Sequence, residues 1–251
     1  MSYTPLWGSS DSIFAAISMK KEDLNQFMTD DLAYTETDLT PPDEHPVIYM
    51  FNQQKIRILL PFFIMNYYEM IPLIPYVHFK DNPAKSYQTS PILYVSSRLI
   101  VFGARIAWHL NKVFAAFQVN PPIKDFPVVK HMSTEVFRDT INAINFTSQV
   151  AGETGIPSAF PNVNTLAPLL TTDALIVSYA SGSNPNKYWT AAYQFDMTEV
   201  QPSTTKIDVI NIEGLPQQTF HVPSIAVHVL GSFRVTFNWK LPWPGRYYPK
   251  G

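Results

Sequence analysis

Short apolar runs of four to eight residues, interrupted by Pro, Gly, Asn and Ser clusters, dominate the hydrophobic pattern of this chain and predict many short strands. Residues 1–11 show no period and are expected to form an irregular arm. Ser12 to Met19 reads as a strand, and Lys20 to Met28 as a short exposed helix with apolar positions at Leu24, Phe27 and Met28. Thr35 to Pro46, rich in Thr, Asp and Pro, is expected to be a loop. Val47 to Phe51, Ile56 to Tyr68 (with a bulge at Pro61) and Ile71 to Phe79 read as strands, followed by a polar loop from Lys80 to Ser90.

The pattern then changes period. Ile92 to Val95 reads as a strand, Ser96 to Lys112 as a helix and turn, and Val113 to Phe117 as a second strand. The helix is apolar on most faces, which predicts burial within the sheet system. Further on, Thr140 to Gln149, Leu175 to Tyr179, Tyr188 to Phe195, Thr205 to Ile212, Phe220 to His228 and Phe233 to Trp239 carry strand signals. Pro161 to Leu170 fits no period clearly. With no repeat and no Gly/Ser linker, residues 1–251 read as a single β-rich α+β domain.

Composition narrows the classes of function. Apolar residues make up 46% of the 251-residue chain and charged residues only 15%, so it is long and hydrophobic enough to bury a core. A net charge of −2 without a basic run gives no electrostatic footprint for nucleic acid. There are no cysteines, which excludes disulfides, thiolate catalysis and cysteine-ligated metals. The longest apolar tract, Ile56 to Phe79, is broken by Arg57, Pro61, Glu69, Pro72 and Pro75, so no membrane span is expected. Met1 to Lys20 does not resemble a secretory signal, and a cytoplasmic setting is the expectation. Histidines show no ligand spacing, and no phosphate-binding glycine loop or Gly-x-Ser-x-Gly is present; no metal or cofactor is expected.

Lys112 is the foremost catalytic candidate. It closes an apolar segment whose other charged side chains are Arg98 and Arg105. Withdrawal from water favours the neutral form of an amine, and a neutral amine attacks carbonyl carbon to form a Schiff base. The plain alternative is a lysine at a helix C-terminus reaching into solvent. Glu69 follows two tyrosines in an apolar strand and either faces a pocket, where it can move protons, or faces water at a sheet edge. Arg105 either binds a substrate anion or pins the helix to backbone carbonyls. His109 is a proton carrier or an ordinary helix-end histidine. Trp108, Tyr94, Phe62, Phe63, Tyr67 and Tyr68 can line an apolar pocket or simply fill a core.

Several of these segments resemble the acetoacetate decarboxylase-like superfamily. Glu22-Asp23-Leu24 followed by Thr-Asp-Asp-Leu is similar to its opening strand and helix. Tyr67-Tyr68-Glu69 leading to Ile74-Pro75-Tyr76-Val77 is similar to its Tyr-x-Glu segment and following strand. Leu93-Tyr94-Val95, through Ala104-Arg105 to Asn111-Lys112, resembles its strand, Gly-Arg helix and lysine turn. Leu230-Gly231-Ser232-Phe233-Arg234 to Pro242-Trp243-Pro244 resembles its terminal region. The resemblance implies a cone or barrel of mostly antiparallel strands around an enclosed pocket, assembly as a homo-oligomer, a Schiff-base role for Lys112 and a pocket position for Glu69. Substrate contacts are expected at Arg105, Tyr94, Tyr68, Trp108, His109 and Gln54.

The chain departs from the family pattern at informative places. Val113 stands where the family has a second lysine. No Asp or Glu occurs from Val47 to Tyr68, and Gln54 stands near the place of a further pocket carboxylate. Ser9 to Ser12 holds no arginine to grip a substrate carboxylate. The expected function is therefore cofactor-independent Schiff-base chemistry on a small apolar ketone or β-keto, polyketide-like substrate. The reactions in view are decarboxylation or aldol, retro-aldol and dehydration steps of secondary metabolism. Imine-free cyclisation or isomerisation in the same pocket, and non-catalytic ligand binding, remain open alternatives.

Overall fold

The computed structural model describes residues 6–58, 63–108, 110–120, 131–138, 141–150, 174–177, 188–191, 194–208, 212–213, 219–220, 229–241 and 246–248. Its centre is three long strands, β1 (Leu6–Lys20), β3 (Glu44–Ile58) and β4 (Phe63–Phe79), with the short β2 (Leu32–Tyr34) paired to the end of β4. β1 is antiparallel to β3, and β3 to β4. On the far side of β1 lies β16 (Val229–Leu241), and from there the sheet runs on through β13 (Gln194–Asp208), β10 (Ile141–Val150), β9 (His131–Arg138) and β8 (Ala116–Asn120).

Beyond β4 the sheet continues through β5 (Asn82–Ser90), β11 (Ala174–Val177), β12 (Tyr188–Ala191) and β17 (Arg246–Tyr248). β14 (Ile212–Glu213) and β15 (Thr219–Phe220) form a separate pair. The sheet is mixed: β5 runs parallel to β11, and β6 (Leu93–Val95) runs parallel to β7 (Lys112–Phe114). Its strand-rich architecture is the expected class. Among the described residues the ladder is open, from β17 to β8, and does not close into a barrel. No described helix is long and apolar enough to cross a membrane.

Alternation along β1, β3 and β4 generates two buried faces, because a strand sends successive side chains to opposite sides. One face carries Ile13, Ala15, Ile17 and Met19 of β1 with Val47, Tyr49 and Phe51 of β3 and Met70 and Ile74 of β4. The other carries Phe14 and Ala16 with Ile48, Met50 and Ile56, and Tyr67 and Leu73. Fully burying each such side chain is worth roughly 1.5–3 kcal/mol.

Several segments differ from the sequence expectation for identifiable reasons. Residues 1–11 are not wholly an irregular arm, since β1 begins at Leu6. Gly8, Ser9 and Ser10 carry little strand propensity, but β3 and β16 hydrogen-bond them from both sides. Asn52 to Lys55 breaks no strand, because Asn52 and Gln54 are buried on one face while Gln53 and Lys55 take the other. Lys80 to Ser90 is mostly strand β5, with Lys80 and Asp81 left as its turn. His131 to Arg138 forms a strand that its polar sequence concealed. The early helix is present as α1 (Lys21–Leu24) and one 3-10 turn, Asn25–Phe27. Pro161 to Leu170 and the greater part of Phe220 to His228 lie outside the described residues.

Helix α2 (Arg98–Trp108) joins β6 to β7 as the period change predicts. It is not buried on all sides. Ile100, Val101 and Ala104 face the sheet, whereas Leu99, Phe102 and Ile106 are 58%, 64% and 60% exposed. A single layer below the helix can cover only one of its faces.

The end of β4 is bent. Its register on β5 shifts between Ile74 and Val77, and Tyr76 adopts φ 51°. A non-glycine residue in this left-handed region costs about 1–2 kcal/mol. The neighbouring carbonyls secure the bend: Thr35 N–H donates to Tyr76 O at 2.7 Å, and His45 Nε2 meets Pro75 O at 2.7 Å. His45 is fully buried, lies against the Tyr34 ring, and burial lowers its pKa to about 4.

Candidate active site

Lys112 opens β7, and its backbone is fixed on several sides. Asn111 Nδ2 donates to Pro91 O at 2.7 Å, Leu93 N–H donates to Asn111 O, and Lys112 N–H donates to Leu110 O at 2.8 Å. Arg105, one turn from the end of α2, donates from Nε to Lys112 O at 2.7 Å. The arginine therefore acts on the backbone of Lys112, fixing helix to strand.

Parallel pairing aligns Lys112 with Leu93, on the same side of β6 as Val95, and Val95 lies opposite Glu69 of β4. The Lys112 ammonium contacts Glu69 Oε1 directly. Both residues are buried, at 7% and 3% exposure. Glu69 Oε2 accepts from Gln54 Nε2 at 3.3 Å, and Gln54 Oε1 accepts from Trp239 Nε1 at 2.9 Å. The Lys112 Nζ lies 5.7 Å from the centre of the Tyr67 ring. A chain of polar contacts thus runs from β7 through β4 and β3 to β16, walled by aromatic rings.

Taking the ammonium and carboxylate from water is costly, and their contact offsets that cost. Gly8 makes room for the far end of the chain. A Cβ there would lie 2.7 Å from both Trp239 Cζ2 and Lys55 O, so only glycine leaves room for the indole in this position.

The predicted site residues divide by strand parity. Lys112, Glu69 and Gln54 meet. Tyr94 does not: it is fully buried in the opposite core beside Met70. Tyr68, paired with Gln53, is on that opposite face too, and its ring lies 6.1 Å from Phe117. Tyr67 takes the place expected of Tyr68. Trp108 ends α2, and His109 lies outside the described residues. Val113 is buried beside Tyr94 in the opposite core and so faces away from Glu69.

Sequence reading did not single out Ser10, Ser12 and Asn52, which share the face of Glu69. The available signal was register: once Glu69 and Gln54 are placed on one face, Asn52 and the even-numbered positions of β1 follow. Among the described residues, no group of three or more His, Asp or Glu is gathered as a metal site would require.

The fold has known counterparts. MppR, an enduracididine biosynthesis enzyme solved with pyruvate, superposes with a TM-score of 0.65 at 12% identity, covering 98% of this chain and 91% of its own. This chain has the acetoacetate decarboxylase-like fold. Acetoacetate decarboxylase from Legionella pneumophila matches with a TM-score of 0.63 at 10% identity, over 98% of this chain and 88% of that one. An acetoacetate decarboxylase-like enzyme from Sphingomonas wittichii gives 0.63 at 10% identity, over 99% and 94%. No protein-family model and no curated protein sequence matches the chain.

Proposed function

We propose that this acetoacetate decarboxylase-like protein is a cofactor-independent enzyme in which Lys112 forms a Schiff base with a ketone or β-keto substrate. The direct contact between buried Lys112 and Glu69 is the observation that carries the reading. The ammonium hands a proton to Glu69, and the amine nitrogen bonds to the substrate carbonyl carbon as the carbonyl π pair moves to oxygen. Glu69 returns the proton to that oxygen, then takes a second proton from the nitrogen and passes it to the resulting hydroxyl, which leaves as water and gives a protonated imine. The iminium then accepts the electron pair of an adjacent C–H or C–C bond. Deprotonation by the carboxylate gives an enamine for aldol condensation and dehydration, and C–C cleavage gives decarboxylation or retro-aldol products.

Gln54 holds the Glu69 carboxylate from β3, and Trp239 holds Gln54, so the proton acceptor is oriented before substrate arrives. Structures of MppR include its complex with the condensation product of pyruvate and imidazole 4-carboxaldehyde, which supports aldol-type chemistry in secondary metabolism on this fold. The substrate is a small, largely apolar carbonyl compound. A second reading, imine-free cyclisation or simple ligand binding at the same residues, is favoured by one feature: Lys112 is already engaged by Glu69.

Intact-mass analysis after borohydride reduction in the presence of ketones, β-diketones and aldehydes separates the two. The imine reading expects a reduced adduct mapped to Lys112 and lost in Lys112→Ala. Turnover of a carbonyl substrate by Lys112→Met at the wild-type rate establishes the alternative.

A further inference from the structure

We infer that Ser10, Ser12 and Asn52 form a subsite for an uncharged oxygen of the substrate, the carbonyl of an amide, ester or second ketone, beside the Lys112–Glu69 pair. The inference rests on the imine reading and names what else such a substrate carries. Asn52 lies directly between Ser12 of β1 and Glu69 of β4 in the sheet register, and Ser10 lies opposite Gln54. Neighbouring strands are about 4.8 Å apart, so the subsite is one strand spacing from the carboxylate. That distance suits an oxygen placed β or γ to the reacting carbon.

The cluster is built and incomplete. Ser10 Oγ and Ser12 Oγ lie 2.7 Å apart, and both hydroxyls hydrogen-bond Asn52 Oδ1. All three residues are buried, at 1%, 1% and 4% exposure. Among the described residues, Asn52 Nδ2 is buried and meets no acceptor. A buried donor left unmatched costs free energy because it has given up its water without a replacement. Turning the amide over does not remove the mismatch, because Oδ1 then occupies the position that lacks a partner. A substrate oxygen accepting from Nδ2 does remove it.

Charge decides between a neutral oxygen and a carboxylate. Among the described residues the subsite offers hydroxyls and an amide and no cation. Lys55 and Arg57 of β3 are exposed and alternate with Gln54 and Ile56, so they take the other side of the strand. A carboxylate would sit unpaired, buried and one strand away from Glu69, losing its hydration without a counter-charge. A neutral carbonyl gains a hydrogen bond at little desolvation cost. This favours proton removal at a C–H bond, or retro-aldol cleavage, over loss of a substrate carboxylate.

The test compares acetoacetamide with acetoacetate, matched in size and differing in charge. Borohydride trapping on Lys112 is followed by intact mass over a concentration series, counting intact and decarboxylated adducts. Wild type is expected to half-saturate with the amide at a concentration about tenfold lower than with the acid. Asn52→Leu removes that preference; Ser12→Ala, a smaller change, narrows it. Equal or better trapping of acetoacetate by wild type overturns the subsite, as does an unchanged preference in a folded Asn52→Leu or Ser12→Ala protein. If no ketone traps on Lys112, the imine reading fails by itself. The subsite is then read by ligand-observed NMR titration of the same pair: amide preference lost in the variants upholds it, and no preference or no binding overturns it.

Discussion

The two faces of the β1–β3–β4 sheet come from the same three strands and are buried to similar depth, yet they are filled by opposite rules. One face sets Ile13, Ala15 and Ile17 against Val47, Tyr49, Phe51 and Met70. The other begins the same way, with Phe14, Ile48 and Met50, and then gives way to Ser10, Ser12, Asn52, Gln54 and Glu69 before apolar packing resumes at Ile56 and Trp239. An apolar face is stabilised by area removed from water and tolerates any register-preserving hydrophobic residue of similar volume. A polar patch at the same depth costs free energy wherever a donor or charge is unmatched. The sheet carries that cost at the patch we propose as the active site.

The largest expected break in this comparison comes from the charged pair. Glu69→Ala leaves the Lys112 ammonium buried without its partner and should destabilise the protein by about 3–5 kcal/mol in urea unfolding. The double variant Glu69→Leu/Lys112→Met should recover most of that loss. If the single variant unfolds at the wild-type midpoint, water reaches the pair and the patch is not sealed.

A second expectation concerns the other face, where His45 is buried as the neutral form. Its folded pKa, about 4, lies below the ordinary 6.5, so the unfolded chain binds more protons between these values. Stability is full above pH 6.5 and falls as pH drops toward 4, by up to about 3 kcal/mol. Denaturation midpoints followed from pH 7 to pH 4 in wild type and His45→Phe check this, because the variant should lose most of the slope in that window. Lys21 and Glu36 supply smaller, opposing effects on the same imidazole.

The smallest expected effect sharpens the boundary between packing and chemistry. Gly8→Ala drives a methyl into the Trp239 indole and the Lys55 carbonyl, costing about 1–3 kcal/mol and displacing the indole N–H from Gln54. A shift in tryptophan emission together with slower adduct formation at Lys112 is the expected result. Unchanged emission would show that Gln54 does not depend on Trp239 for its orientation.

Legibility in the sequence varied with the physical signal. The strand–helix–strand unit around α2 was readable because its period changes from that of a strand to that of a helix and back. Lys112 and Glu69 were readable as isolated charges in apolar runs. Asn52 and Gln54 fell between two expected strands because polar residues in a strand interior are rare, and their partners are supplied from β1 and β16, far away in sequence. The exposure of Leu99, Phe102 and Ile106 was hidden for a related reason: apolarity records what a helix can bury, and the tertiary fold decides what covers it.

By itself, the sequence determined a β-rich chain with one apolar strand–helix–strand unit, a lysine at its end and a carboxylate within a neighbouring strand. Only the tertiary structure decided which tyrosine accompanies them. Tyr67 and Tyr68 are adjacent and chemically identical, but pairing of β4 with β3 turns the first toward Lys112 and the second toward Phe117. A one-residue change of register would exchange them and carry Glu69 to the wrong face, because strand side chains alternate with a period of two. Composition along a strand fixes neither choice; the hydrogen bonds to its neighbours do.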